Sequence, residues 1–262
     1  MRQKFFLPTI SALLILSIAL NVALYHIAVE CYKQKKKYQI DPTGSLFYSY
    51  KNGTAQKGSN SAIRIVFFGD SRIHQWKPLP LMPRCELINR GMPGETTAQS
   101  LLRIDRDLLS LKPDIVVIEL GVNDCSSIGA LPEIDRTIIE KCKSNFDNII
   151  SMLHRKRIRT VVLTIFPAST ICPARWPVWS ENTREAIHEV NYHLMKKNSS
   201  DNIVINCDPI FLENRKMKRE YAVDSFHINK DGYKMLNALI KPHLSTSKSD
   251  CPNIASLARE IS

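Results

Sequence analysis

The sequence predicts an α/β fold, a parallel sheet covered on both faces by helices in a three-layer sandwich. Three observations carry that reading. Short apolar, β-rich runs alternate with longer amphipathic segments from residue 62 onward. Two of those runs, IVVIEL and TVVLTIF, are apolar almost without alternation, which suits strands buried on both faces. The composition, 44% hydrophobic and 23% charged over 262 residues, supplies material for a sizeable core and argues against a disordered chain.

In chain order, the first element stands outside that pattern. Residues 5–29 form an apolar stretch flanked by Arg2 and Lys4 on one side and by Lys33, Lys35, Lys36 and Lys37 on the other. At about 1.5 Å rise per residue it is long enough to cross a bilayer. The expectation is a single-pass membrane anchor over residues 1–30. A cleaved signal peptide is the alternative. The length of the run argues against it, as does the lack of a small residue three positions before Ala23 or Ala28. Counting positive charges on the two flanks does not orient the anchor.

Residues 31–61 read as a basic juxtamembrane region and linker, with Pro42, Gly44, Gly53 and Gly58 interrupting any periodicity over 38–61. The globular domain is expected over 62–246, followed by a tail at 247–262. Within the domain, strands are expected at 63–68, 86–89, 114–120, 160–166 and 202–206, and helices at 97–109, 132–156, 181–197 and 230–244. Pro132 suits a first helical turn. In such sheets, ligands bind beyond the carboxyl ends of the strands, so the residues just after each run are where chemistry belongs.

The net charge of +11 raises the question of nucleic acid. The lysine run beside the anchor reads instead as a flank attracted to anionic lipid headgroups. The basic groups at 154–159 and 214–219 sit at helix ends or in loops. No nucleic-acid motif accompanies them, and no nucleic-acid partner is expected. Cys31, Cys85, Cys125, Cys142, Cys172, Cys207 and Cys251 lack metal-ligand spacing and read mostly as small buried hydrophobes, with a disulfide left open for an exported domain. His26, His74, His154, His188, His193 and His243 show no zinc-like pattern with carboxylates, so no metal is expected.

Chemistry gathers at the strand ends. The first run leads into Gly69-Asp70-Ser71-Arg72, a serine delivered at a strand-to-helix turn. The second leads into Asn89-Arg90-Gly91-Met92-Pro93-Gly94-Glu95-Thr96-Thr97, and the third into Gly121-Val122-Asn123-Asp124. Glycine turns free backbone N–H groups, and an Asn amide adds a side-chain donor, which is what a tetrahedral oxyanion requires. Before the last helix comes Asp224-Ser225-Phe226-His227. In one tight turn, Asp224 or a main-chain carbonyl can hold the ring of His227 while its other nitrogen faces Ser71. Each fragment alone is equally a turn or cap; the set, in order, is not.

That set resembles the SGNH hydrolase family, over residues from about 63 to 244. The resemblance implies a flavodoxin-like, five-stranded parallel sheet and serine-dependent hydrolysis of acyl esters without a cofactor. It casts Ser71 as nucleophile and oxyanion donor, Gly91 as second backbone donor, Asn123 as side-chain donor, His227 as base and Asp224 as its orienter. Asp70 and Asp124 would support them. Phe226 departs from the smaller or aliphatic residue common before the histidine, Arg72 stands at a position that varies in the family, and both would shape the acyl or alcohol pocket. The missing Gly-x-Ser-x-Gly separates the chain from the other large α/β esterase fold. Trp176 and Trp179, in a proline-rich stretch after the fourth strand, are candidates either to stack on a sugar ring or simply to pack the loop. The implied substrate is a small-molecule, glycan or lipid ester, with the domain on the extracytoplasmic side by analogy with anchored relatives. An O-acyltransferase using the same site is the alternative, and a binding protein that keeps the fold without turnover is a third reading, disfavoured by the complete residue set.

Overall fold

Five strands, β1 (Ile63–Gly69), β2 (Cys85–Gly91), β3 (Ile115–Glu119), β4 (Arg159–Leu163) and β5 (Asn202–Ile205), pair in the order β2-β1-β3-β4-β5 in this computed structural model. All four pairings are parallel, as the uniformly apolar runs require. The structure describes residues 3–43, 63–83 and 85–244. The expected tail, most of the expected linker and Cys251 lie outside the described residues.

The chain divides into two units. One holds α1 (Gln3–Ile40), which from Thr9 to Ile40 is exposed apart from the partly buried Val29 and is long and apolar enough to cross a membrane. It runs about 57 Å at 1.5 Å per residue. It also continues through the lysine run, so the stretch expected as linker from residue 38 is helical until Ile40. Lysine is a good helix former, and the Glu30–Lys33 pair at 2.6 Å adds an i,i+3 contact.

The other unit is the α/β domain, with helices α2 (Ser71–Gln75), α3 (Thr97–Asp107), α4 (Val122–Ser126), α5 (Asp135–Arg155), α6 (Asn182–Met195), α7 (Asp208–Phe211) and α8 (Lys230–Ile240). Side chains alternate across the sheet with the period of two that a pleated strand imposes. Val66 and Phe68 of β1, Val116 and Ile118 of β3 and Val162 of β4 pack on one face against α3, α5 and α6, through Ile104, Phe146, Ile149 and Val190. Ile65, Phe67, Ile115, Val117, Val161 and Leu163 pack on the other face against α2, α7 and α8, through Ile73, Phe211, Leu236 and Ile240. This is the three-layer sandwich expected.

Element ends shift for identifiable reasons. The fourth strand was expected to reach residue 166, but its ladder with β5 closes at Leu163–Ile205. Beyond it, the Asn191 side chain of α6 accepts from Ile165 N at 2.7 Å and donates to Ile165 O at 2.8 Å, taking the place of a neighbouring strand. Pro132 opens a separate 3₁₀ turn, Pro132–Ile134, and α5 begins after it. Thr96 and Gln99 form a reciprocal capping box that starts α3 where the sequence placed it. The hairpin of β6 (Leu212–Glu213) and β7 (Lys216–Met217) turns on Asn214 and Arg215, both left-handed, and had no apolar run to announce it.

Burial and surface charge predict very different costs. Ile118 is fully buried at the centre of the sheet, so Ile118→Ala is expected to destabilise by about 2–5 kcal/mol. Glu189 bridges α5 and α6 from the surface. Hydrogen bonds from Arg136 and Lys143, against a small burial penalty, hold its carboxyl at about 2. Its contribution is present above pH about 4.5 and is lost as pH falls toward about 2. Because solvent screens that pair, Glu189→Gln should cost less than about 1 kcal/mol at pH 7. Urea midpoints of the two variants at pH 7 and pH 3 check both expectations.

Candidate active site

The serine is exposed to chemistry by the shape of the turn that delivers it. β1 ends at Gly69, Asp70 caps α2, and Ser71 is the first helical residue. A Cβ on Gly69 would lie 2.0 Å from the Glu119 carbonyl oxygen, so glycine lets β1 and β3 end in near contact. Asp70 accepts from Arg72 N at 2.9 Å through its side chain. As the first residue of a helix, Ser71 keeps its N–H free of intrahelical bonding.

Ser71 Oγ lies 2.9 Å from His227 Nε2, and His227 Nδ1 lies 2.7 Å from Asp224 Oδ2. The other Asp224 oxygen accepts from the Phe226 and His227 N–H groups, each at 2.8 Å. Of the two holders the sequence left open for the ring, the structure places Asp224 there. Partial burial alone would raise the Asp224 pKa; the Phe226 N–H and the His227 ring and N–H outweigh it and hold the carboxyl below its ordinary range. Asp224 therefore stays ionised beside a ring that gains positive charge when it takes a proton. With Nδ1–H donated to Asp224, Nε2 is the free acceptor facing the serine.

The expected oxyanion donors fare differently. Asn123, in the first turn of α4, donates from Nδ2 to Glu95 O at 2.8 Å and lies 3.4 Å from Asp70 Oδ2, which sets its amide between the first and second strand ends. Gly91 is a correction. It is the last residue of β2, level with Gly69, and its N–H donates to Asn89 Oδ1 at 2.9 Å. A Cβ there would lie 2.1 Å from His74 N, so Gly91 is a glycine because α2 packs on it. The open glycine is Gly94. The Glu95 N–H to Met92 O bond of 3.3 Å closes a turn with Pro93 and Gly94 at its centre, and Gly94 has φ +75, the pattern of a type II turn. Among the described residues nothing lies within 4 Å of a Cβ built on it and no hydrogen bond takes its N–H. The Pro-Gly pair was the signal in the sequence; its meaning depended on register.

The supporting carboxylates are buried. Asp124 accepts from Thr97 N at 2.9 Å and Thr97 Oγ1 at 2.6 Å, tying the third strand end to the start of α3. Burial pushes its pKa up, against those bonds. Burial, and then the charge of Glu119, push Asp70 well above the ordinary carboxylate range. The turn bearing Gly94 is pinned from beneath, where Glu95 pairs with Arg103, whose Nη2 also donates to Gly69 O at 3.2 Å.

Two residues expected to shape a pocket face inward instead. Arg72 is 1% exposed and pairs with Glu119 at 2.9 Å, and Phe226 is 7% exposed with its ring between Trp179 and Arg175. Trp179 is half-buried and donates from its indole to Glu181 at 3.0 Å, which makes it packing, whereas Trp176 is 66% exposed. Trp76 is buried and donates to Asn237 at 2.7 Å. Among the described residues no three metal-ligating side chains gather.

The sequence profile of the GDSL-like lipase/acylhydrolase family matches residues 67–235. No curated protein matches the chain. Among solved structures, a GDSL-like lipase from Bacteroides thetaiotaomicron superposes with a TM-score of 0.57 at 21% identity, covering 79% of this chain and 94% of that one. A catalytic mutant of an acetylxylan esterase from Geobacillus stearothermophilus gives 0.54 at 14% identity, covering 74% and 98%. An acetyl xylan esterase gives 0.53 at 18% identity, covering 70% and 100%.

The two glycines should separate in experiment. Gly91→Ala drives a methyl group into the backbone of α2 and is expected to cost at least about 2 kcal/mol. Gly94→Ala has room and meets only the left-handed backbone penalty of about 1–2 kcal/mol. Thermal melts of the two variants should therefore show Gly91→Ala as the less stable.

Proposed function

Because this chain is a serine ester hydrolase of the GDSL-like lipase/acylhydrolase family, we propose that Ser71 is its nucleophile, His227 its general base and Asp224 the residue that orients and stabilises His227. The observation that carries the assignment is the unbroken chain of short contacts, 2.9 Å from Ser71 Oγ to His227 Nε2 and 2.7 Å from His227 Nδ1 to Asp224.

The reaction follows from that geometry. His227 Nε2 takes the proton as Ser71 Oγ attacks the ester carbonyl, and the tetrahedral oxyanion is met by donors at three strand ends. These are the Ser71 N–H at the start of α2, the Gly94 N–H and the Asn123 amide. The imidazolium then protonates the departing alcohol, and water, deprotonated by the same nitrogen, releases the acyl group. Asp224 remains a carboxylate throughout and favours the charged ring between transfers.

The substrate in this reading is a small acyl ester on a carbohydrate or lipid. Acetylxylan-directed relatives share the fold, and the exposed Trp176 is available to stack on a sugar face. α1 anchors the chain to a membrane, with the domain on the extracytoplasmic side, where envelope and extracellular esters lie.

The test uses the full-length chain in detergent micelles, with p-nitrophenyl acetate, a long-chain p-nitrophenyl ester and a fluorophosphonate label. The wild type is expected to label and turn over, and Ser71→Ala to do neither. His227→Ala should lose roughly 10²–10⁴ in kcat, and Asn123→Ala roughly 10²–10³. Labelling that survives Ser71→Ala would move the nucleophile elsewhere.

A further inference from the structure

Arg72 follows Ser71 in sequence, yet its side chain turns away from solvent into the floor of the site. Its three guanidinium nitrogens go to three different segments of the chain. Nε donates to Phe226 O at 2.9 Å, Nη1 to Glu119 Oε1 at 2.9 Å and Nη2 to Phe166 O at 3.2 Å, while the guanidinium carbon lies 4.9 Å from the centre of the Phe166 ring. The backbone of Arg72 is held as well, its N–H on Asp70 Oδ1 and its carbonyl by the Tyr233 hydroxyl at 2.7 Å. One residue thus joins the nucleophile turn, the end of the third strand, the segment that follows the fourth and the loop that carries His227.

The bond to Phe226 O has a particular consequence. That carbonyl belongs to the peptide unit whose nitrogen is His227 N, and this N–H donates to Asp224 Oδ1 at 2.8 Å. A peptide unit is planar, so bonds on its two opposite edges stop it from rotating or sliding. The plane from which the His227 side chain departs is therefore held by Arg72 on one edge and Asp224 on the other. An ion pair with Glu119 alone would need only a point charge; reaching three segments at once needs the planar, forked guanidinium.

We propose that Arg72 is a positioning residue, which sets the separation of Ser71 Oγ and His227 Nε2 by bracing the peptide before His227 against the turn that carries the nucleophile. This rests on the reading of Ser71 and His227 as nucleophile and base. The Arg72 side chain is 1% exposed and lies beneath the surface that substrate can reach, so substrate binding should be left alone while the rate of the chemical step falls.

The experiment compares wild type, Arg72→Lys and Glu119→Asp, each as the full-length chain in detergent micelles, by steady-state kinetics on p-nitrophenyl acetate, fluorophosphonate labelling and thermal melting. Lysine keeps the charge opposite Glu119 but cannot reach all three acceptors. Aspartate keeps the charge and draws the anchoring carboxylate back by one methylene, displacing the arginine. For each, kcat is expected to fall about tenfold to a hundredfold, the loss that a displacement of about 1 Å brings, with KM within twofold. Labelling should be slower by a similar factor yet reach the wild-type stoichiometry, since a purely structural role would instead lower the fraction of active molecules. A folded Arg72→Lys protein with wild-type kcat, or one whose loss is wholly a loss of labelled fraction, overturns the proposal; if Arg72→Lys does not fold, Glu119→Asp decides by the same criterion. A wild type that neither labels nor hydrolyses would sink the underlying nucleophile and base assignment, an outcome distinct from wild-type activity left unchanged by the variants.

Discussion

β1 ends level with both of its neighbours, Gly69 beside Gly91 on one side and Glu119 on the other. That close ending is the constraint from which the site follows. No side chain fits at Gly69, where a Cβ would meet the Glu119 carbonyl, or at Gly91, where it would meet α2. Because both positions are bare, α2 can start at once, and Ser71 appears within two residues of the strand. Parallel strands with helical crossovers bring every loop that follows a strand to the same edge. The turn with Gly94, the start of α4 with Asn123 and the segment before α8 with His227 meet there for that reason, though more than 150 residues separate Ser71 from His227.

The floor under this edge is built from charge, which is costly to bury and is tolerated only where each group is met. Arg72 with Glu119 and Arg103 with Glu95 are all but inaccessible to solvent. Their bonds run crosswise, from one segment to another, and so resist relative movement that apolar contacts would allow. Even here the accounting is not complete, since Glu119 Oε2 has no hydrogen-bond partner among the described residues and burial pushes the Glu119 pKa up against the pull of Arg72. A fully apolar floor would be simpler to stabilise; a crossed polar one fixes directions, because hydrogen bonds are directional and dispersion is not.

Much of this was legible in the sequence. Strand runs buried on both faces cannot alternate, so IVVIEL and TVVLTIF declared themselves, and the three-residue spacing of Asp224 and His227 already implied a local hydrogen bond. What stayed hidden depended on register or on distant partners. Gly91 and Gly94 lie three residues apart at one strand end, and only the pairing of Gly91 with Gly69 shows which is spent on packing. Arg72 reads as a pocket-shaping residue after the nucleophile turn until Phe226, Phe166 and Glu119 are seen converging on it from 47 to 154 positions away. Asn191 gives no sign, from inside a helix, that it completes the end of a strand.

The two halves of the site are held by different means, and the difference bears on where variation is tolerated. Ser71 stands on the sheet itself, through β1 and the buried floor. His227 and Asp224 stand on a loop closed by its own backbone: the Ala222–Ile228 bridge, Val223 N to His227 O at 2.9 Å and Asn229 N to Tyr221 O at 2.8 Å. Such a loop keeps its internal shape wherever it sits, and Asp224 and His227 keep their bond even if the loop shifts as a body. What it cannot supply is its own distance from the serine. That distance must come from contacts between the loop and the rest of the domain, and those are made inward, by the Phe226 carbonyl to Arg72 and by Ser169 N to Ser225 O at 2.9 Å, with the Tyr233 hydroxyl of α8 holding the Arg72 carbonyl beside them. The outer side of the loop, where Val223 is 65% exposed, carries none of them. Variation is therefore better tolerated on that outer side than among the residues that face the sheet.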